Sequence, residues 1–468
     1  LLELEVRLQA RRPLAGRADP ERGSRPAGAE LDAEQAAAFS AVREAIDSGR
    51  AETILLEGDT ASGKTAVYAE AIAHALAVGR GALVLVPEIA LAIPLIDRLR
   101  HDLGVEPALL HSALGEGERA DEWRRVRRGD ASVVVGTRMA VLSPPEPLGL
   151  VVVDEEHDPA YKSDRTPRYQ GRDVAVALGR LAAAPVVLGS ATPDIVSIGR
   201  ARAGEARHLR LRGRRSGAPV RVEIADMREE LAEGNRGLLS AQLATALEAL
   251  DTDAGERAIL LINRRGAASV VLCRDCGYVQ ICPECQRPLV FHASVVALRC
   301  HHCGASAPVA RRCPACESVR IRYLGGGTER VEQELRVRFP TLRSARLDRD
   351  VVERKGAAAR VIDDFTAGAS DVLVGTSLVA KGLDVPEVTL VGVVSADIAL
   401  NLPDERAAER TWQLLTQAVG RAGRGERPGR AIIQTYQPEH PAVVAVAEGD
   451  SEGFVEAELA RRRRFGSP

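Results

Sequence analysis

From Leu31 onward the chain alternates between two textures. Continuous β-branched runs, TILLEG (53–58), ALVLVPE (82–88), SVVVGT (132–137), LGLVVVDEEH (148–157) and PVVLGSAT (185–192), are separated by amphipathic stretches such as LDAEQAAAFSAVREAI (31–46) and AVYAEAIAHAL (66–76). Apolar runs without alternation suit strands buried on both faces of a parallel sheet, and the stretches between them suit helical crossovers. The pattern predicts an α/β lobe. A second series opens at RAILLINRRG (257–266) and resumes through SARLDRD (344–350), DVLVGTS (371–377), VTLVGVVSAD (388–397) and GRAIIQTY (429–436), predicting a second lobe of the same class. A block of cysteines interrupts this second series. Residues 11–30 are rich in Pro, Gly and charge, have no period, and read as a linker.

The predicted order is a linker or remnant of an N-terminal region at 1–30, a first lobe at 31–217 and the start of a second lobe at 218–272. A cysteine-rich module at 273–316 follows, then the rest of the second lobe at 317–445 and a C-terminal helix or truncated tail at 446–468.

Composition narrows the class. The 468 residues are 45% hydrophobic and 27% charged, enough apolar material for sizeable cores. Lys+Arg number 63 and Asp+Glu 65, a net charge of −2, so any nucleic acid must be held by local patches rather than a global field. No 18-residue stretch is apolar throughout; the nearest, 81–96, contains Glu88 and two prolines, which excludes a membrane-spanning helix there. With no basic-then-apolar leader, a cytoplasmic protein is expected, and a start at Leu1 suggests a fragment. Lysine occurs only at positions 64, 162, 355 and 381, against arginine everywhere else. Where it persists, a compact ammonium is expected to matter.

Gly58-Asp59-Thr60-Ala61-Ser62-Gly63-Lys64-Thr65 fits G-x-x-x-x-G-K-[ST] between a predicted strand and a predicted helix. That context makes it a phosphate-binding loop: its N–H groups wrap phosphate at a helix N-terminus, Lys64 reaches the β- and γ-phosphates, and Thr65 holds Mg²⁺. Asp154-Glu155-Glu156-His157 ends the buried run LGLVVV. Asp154 is the candidate Mg²⁺ ligand and Glu155 the group that orients and deprotonates water. Gln417 to Arg424 places Arg421 and Arg424 three apart, expected on one face of a helix. Such guanidinium groups can act as arginine fingers, worth roughly 10³ to 10⁵ in rate.

The eight cysteines form four CxxC pairs: Cys273/Cys276, Cys282/Cys285, Cys300/Cys303 and Cys313/Cys316. Two pairs close one tetrahedral Cys₄ site, so eight thiolates suit two structural Zn²⁺ ions. So short a segment would draw its folding energy from metal. His301 and His302 lie inside a pair and read as bystanders.

Taken in order, these motifs resemble superfamily 2 helicases. Leu31 to Gln35 is similar to the adenine-reading segment, with Gln35 the base contact. Gly189-Ser190-Ala191-Thr192 is similar to the motif coupling hydrolysis to strand movement, and Gly375-Thr376 through Lys381-Gly382 to the backbone-gripping motif. DEEH followed by Tyr161-Lys162 and Pro167-Arg168-Tyr169, NRRG (263–266) before eight cysteines, Thr328-Glu329-Arg330, Asp348-Arg349-Asp350 and QTYQPEHP (434–441) narrow the resemblance to the primosomal replication-restart helicases over residues 31–464. Leu383 stands where that family often has His.

The resemblance implies two RecA-like parallel-sheet lobes with a small zinc-binding insertion in the second, using ATP, Mg²⁺ and two Zn²⁺. It implies 3′→5′ unwinding at stalled or abandoned forks and the assembly of a primosome. Partners would be single-stranded and forked DNA, other primosome proteins, single-stranded-DNA-binding protein and the replicative helicase loader, near the bacterial nucleoid. The first cysteine pair would join the last and the second the third. The family's terminal domains are not expected in this chain. A catalytically weak DNA-binding platform is the competing reading; the presence of Lys64, Asp154, Glu155 and Arg424 argues against it. Candidate DNA contacts are Arg138, Tyr161, Lys162, Arg168, Tyr169 and Lys381, with the basic run 200–217. Tyrosines capping a local core are the alternative for the aromatic pair. Arg461 to Arg464 are expected to end a solvated helix without a role.

Overall fold

The computed structural model describes residues 13, 31–59, 62–212, 219–262, 269–285, 287–292, 297–324, 327–352, 357–380 and 385–466, in two compact units, Leu1–Arg215 and Ser216–Pro468. The first unit is built on a seven-stranded sheet in the order Ala108–Leu110, Val133–Gly136, Gly81–Leu85, Leu148–Asp154, Val186–Ser190, Thr53–Gly58, Arg207–Leu211. Every pairing is parallel. The apolar runs of the sequence form its central strands, with Leu83, Val84, Val134, Val151 and Val152 fully buried, as two-sided burial requires. Helix Ala33–Ser48 starts at a capping box, in which Asp32 accepts from the Gln35 N–H and Gln35 accepts from the Asp32 N–H. It stops at Gly49, whose φ of +61° favours glycine.

One feature of this sheet places the chemistry. Val186–Ser190 lies between Thr53–Gly58 and Leu148–Asp154, with Glu57 opposite Ser190 and Asp154 opposite Gly189. The loops following these three strands therefore emerge side by side at the carboxyl edge of the sheet, where open α/β sheets bind ligands.

The second unit has a six-stranded parallel sheet, Val220–Asp226, Gly429–Thr435, Val388–Ser395, Arg257–Ile262, Val372–Gly375, Ser344–Leu347. The cysteine module leaves it after Ile262 as an antiparallel sheet ordered Ser306–Ala307, Ala297–Arg299, Val290–His292, Ser269–Cys273, Ile321–Leu324. Cys273 sits opposite Ile321, so the chain departs and returns through one two-stranded stem. The module's sheet is thus wider than the cysteine block, because strand pairing rather than metal ligation sets its edges. Its core is small: Val271, Leu289, Leu298 and Ile321 pack with Cys282 and Cys300.

The chain closes with helices Pro441–Glu448 and Ser451–Phe465. The expectation of a solvated arginine run is corrected at Arg462, which is buried and ion-paired to Glu409 at 2.7 Å and Glu458 at 2.9 Å. Glu409 is itself buried, and without Arg462 it would be a desolvated charge. No helix among the described residues is long and apolar enough to cross a membrane.

Candidate nucleotide site and cysteine centres

The phosphate loop leaves strand Thr53–Gly58 and enters helix Lys64–Ala77 through Gly63, whose φ is +86°. A side chain there would also strike the Gln35 amide, since a Cβ would fall 2.3 Å from Nε2. Gln35 is fully buried, and its Nε2 donates to the Ser62 carbonyl at 2.8 Å. The capping residue of the first helix therefore also braces the loop. The Lys64 ammonium is buried and donates to the carbonyls of Gly58 (2.5 Å) and Asp59 (3.3 Å). A buried ammonium ringed by backbone at a helix N-terminus is the donor set that a polyphosphate requires, so the residues present fit the nucleotide. Thr65 follows on the exposed side; Thr60 and Ala61 lie outside the described residues.

Asp154 ends its strand under this loop. Burial raises its carboxyl to about 6, helped by the Glu155 charge and opposed by Lys64 and by the Tyr68 hydroxyl, which donates to Oδ1 at 3.0 Å. A carboxylate that costs this much to charge alone suits a cation ligand. The next three residues of the motif separate into distinct tasks. Glu155 turns outward through a φ of +47°, and its carboxylate lies 3.6 Å from His157 Nδ1. Glu156 is fully buried: it accepts from Arg172 Nη1 (2.9 Å), the Asp194 N–H (2.7 Å) and Ser197 Oγ (2.9 Å). Arg172 also pairs with Asp194 at 3.0 Å, so Glu156 is a structural anchor. His157 hydrogen-bonds Ser190 Oγ at 2.7 Å.

The segment after DEEH corrects one expectation. Tyr161 is fully buried, and its hydroxyl lies 2.5 Å from the Asp154 carbonyl and 3.0 Å from that of Leu85. It braces the ends of two strands, and its ring is not exposed for stacking on a base. Lys162 and Arg168 are exposed on the short hairpin Lys162–Ser163/Tyr169–Gln170, beside exposed Arg165, which sequence reasoning did not single out. Tyr169 is half-buried and donates to the Arg138 carbonyl at 3.4 Å; Arg138 in turn donates to Ala160 O at 2.7 Å. The described part of the basic run pairs with acids, Arg207 with Glu44 and His208 and Arg210 with Glu57, which removes much of its basic character. Lys381 lies outside the described residues.

In the second unit, Arg421 and Arg424 are not on a helix face as expected. Helix Ala407–Val419 ends first; Arg421 lies in the turn that follows and Arg424 directly after that turn. The glycines explain why: Gly423 takes a φ of +64° while its N–H donates to Val388 O, and Gly425 N–H donates to Pro386 O. A Cβ on Gly425 would fall 2.8 Å from that carbonyl. Both guanidinium groups are buried, Arg421 Nε donating to Ala380 O at 2.9 Å and Arg424 Nε to Gly420 O at 3.1 Å.

The cysteines gather into two groups, Cys273/Cys276/Cys313/Cys316 and Cys282/Cys285/Cys300/Cys303, each with all sulfurs within 4.8 Å. Facing sulfurs stand 3.3 to 3.6 Å apart. Tetrahedral zinc with Zn–S bonds of about 2.3 Å needs about 3.8 Å between sulfurs, so the groups fit two Cys₄ ions. First pair joins last and second joins third. The knuckles share a backbone design: the residue after the second cysteine takes a positive φ at Gly277 (+73°), Gly304 (+80°) and Glu317 (+59°) and donates to the first cysteine's carbonyl. Neither His301 nor His302 belongs to a group.

Residues 33–199 match the DEAD/DEAH box helicase family and 327–426 the helicase conserved C-terminal domain, while 282–308 match the PriA DNA helicase Cys-rich region domain. Replication restart protein PriA of Bacillus subtilis (strain 168) is 46% identical over 440 residues, 94% of this chain and 54% of the relative. That of Synechocystis is 44% identical over 425 residues, covering 89% and 51%. The chain belongs to the PriA helicase family. It spans about half the length of these two curated PriA relatives. The fold is also that of the solved DUF1998 helicase MrfA bound to DNA, with a TM-score of 0.55 at 15% identity over 97% of this chain and 52% of that one.

Within a PriA-type lobe, sequence motifs located the loops but missed what holds them. Tyr68, Arg172, Asp194 and Ser197 each touch a motif residue without belonging to any motif. Only the register of three strands brings them together, and that register is not visible in the sequence.

Proposed function

We propose that this chain is the ATP-driven motor of a 3′→5′ DNA helicase that remodels stalled or abandoned replication forks and directs primosome assembly. The observation that carries this reading is the shared carboxyl edge of the first sheet, where the buried Lys64 ammonium acts electrostatically on the Asp154 carboxylate. Gly58, Asp59, Thr60, Ala61, Ser62, Gly63, Lys64 and Thr65 hold the phosphates, Thr65 and Asp154 hold Mg²⁺, and the buried Gln35 braces the loop through the Ser62 carbonyl. Bound ATP·Mg²⁺ supplies the phosphoanhydride whose hydrolysis drives strand movement, since opening each base-pair step costs about 0.6–2.2 kcal/mol.

Glu155 accepts the proton of the attacking water, and its outward turn keeps it clear of the buried Glu156 network. Arg424 serves as the arginine finger, and Arg421 holds the Ala380 carbonyl in the segment ahead of Lys381. Arg138, Lys162, Arg168 and Tyr169 contact the strand, with Tyr161 relaying the loop's position to Asp154 through its backbone carbonyl. The cysteine module, loaded with zinc, is the platform for DNA and for primosome proteins, single-stranded-DNA-binding protein and the helicase loader, in the bacterial cytoplasm.

The test is ATP turnover and strand displacement by this chain on single-stranded, duplex and forked DNA across a salt series. DNA-stimulated turnover lost in Lys64→Ala, with displacement of a strand annealed for 3′→5′ movement, is expected. Binding to forks with no turnover by the parent chain would favour a non-catalytic platform instead.

A further inference from the structure

Helix Lys64–Ala77 carries Lys64 at its first position and Tyr68 one turn later, on the same face. Tyr68 is 2% exposed, and its hydroxyl donates to Asp154 Oδ1 at 3.0 Å. The same hydroxyl sits against Gly189, where a Cβ would fall 1.6 Å from the Tyr68 oxygen. Gly189 is the residue opposite Asp154 in the neighbouring strand. The missing side chain of Gly189 thus forms a socket for the hydroxyl, and from that socket it reaches one oxygen of the carboxylate. A phenylalanine would fill the core equally well without burying a hydroxyl.

We propose that Tyr68 is a positioning residue for the metal ligand: by holding Oδ1 of Asp154 it leaves Oδ2 to face the Mg²⁺ of a bound nucleotide. This rests on the reading of Asp154 as that ligand given under Proposed function. A hydrogen bond to a charged group contributes about 1.5–3 kcal/mol, so losing it should shift the Mg²⁺ response by about tenfold or more.

The test is binding of a fluorescent ATP analogue to the whole chain, in EDTA and across a Mg²⁺ series, for the parent, Tyr68→Phe and Asp154→Ala. Tyr68→Phe is expected to bind in EDTA as the parent does, while the Mg²⁺ concentration giving half of its effect rises about tenfold. Asp154→Ala is expected to abolish the Mg²⁺-dependent increment. An unchanged Mg²⁺ response in Tyr68→Phe, alongside its loss in Asp154→Ala, overturns the role of Tyr68 and leaves the nucleotide reading intact. Equal weakening with and without Mg²⁺ also overturns it, because a general packing defect has no metal dependence. A parent that ignores Mg²⁺, or an Asp154→Ala that responds normally, overturns the underlying reading instead. Gly189→Ala approaches from the other side: it should reproduce the shift, and the double variant with Tyr68→Phe should be no worse than Gly189→Ala alone. Additive losses would count against a shared socket.

Discussion

The imidazole Nδ1 of His157 lies 2.7 Å from the hydroxyl of Ser190, joining the last residue of DEEH to the second residue of GSAT. The same nitrogen is 3.6 Å from the Glu155 carboxylate, and the Ser190 oxygen accepts the Thr192 N–H at 2.9 Å. A polar path therefore runs from Glu155, the carboxylate proposed to activate water, into the loop after Ser190, the segment proposed to couple hydrolysis to movement.

If that path transmits, His157→Ala and Ser190→Ala should each lower the number of base pairs opened per ATP. The double variant should be no worse than the poorer single, with a coupling of roughly 1 kcal/mol. Strand displacement and phosphate release measured on the same forked substrate give the ratio. Independent, additive losses would show that the two residues act separately.

The two central glutamates of DEEH should part company when mutated. Glu156→Ala leaves Arg172 paired with Asp194 but strips the buried Asp194 N–H and Ser197 hydroxyl of their acceptor, which costs about 1–3 kcal/mol for each donor left unsatisfied. Urea unfolding of the chain should show it. Glu155→Gln should leave unfolding nearly unchanged and lower ATP turnover by about 10²–10⁴. The reverse assignment would sink the division of roles drawn from their burial.

This pair also shows how far the sequence carried. The phosphate loop, the acidic strand end and the cysteine pairs are local patterns whose spacing is their geometry, and the structure has them where the text placed them. Glu155 and Glu156 are identical in sequence and opposite in surroundings, because a φ of +47° at Glu155 turns one outward and leaves the other inside. Tyr161 looked like a stacking residue because exposure depends on strands 85 and 154, far away in sequence, whose carbonyls it bridges. Arg421 and Arg424 were placed on a helix from their spacing of three, yet Gly420 and Gly423 end that helix first.

The two arginines should differ as well. Arg424→Ala is expected to lower turnover by roughly 10³-fold or more with little change in nucleotide affinity, and Arg424→Lys should not restore it, since an ammonium lacks the planar fork. Arg421→Ala also releases the Ala380 carbonyl and should weaken DNA binding in addition. Steady-state turnover together with anisotropy of a labelled strand separates the two effects.

Zinc removal should not act equally at the two cysteine groups. The first is fused to the lobe: Leu272 and Val279 pack with Ile398 and Tyr436, and the Gln437 amide donates to Gly277 O at 3.3 Å. Gly277 itself approaches the Tyr436 carbonyl so closely that a Cβ would fall 2.3 Å from it. The second group faces the lobe through Arg287, whose ion pair with Glu405 spans 3.7 Å between partly exposed side chains worth about 0–1 kcal/mol. Cys276→Ser should therefore lose metal, loosen Tyr436 and Gln437 directly after strand Gly429–Thr435 of the second sheet, and lower ATP turnover together with unwinding. Cys303→Ser, or Cys282→Ser, should release one zinc equivalent and impair strand separation or partner loading while turnover stays within about threefold, because the stem and first knuckle still fold. Metal content by chelator titration, read beside turnover and displacement, decides this. If loss of the second ion alone stops ATP turnover, the two centres are one cooperative unit and the lobe depends on both.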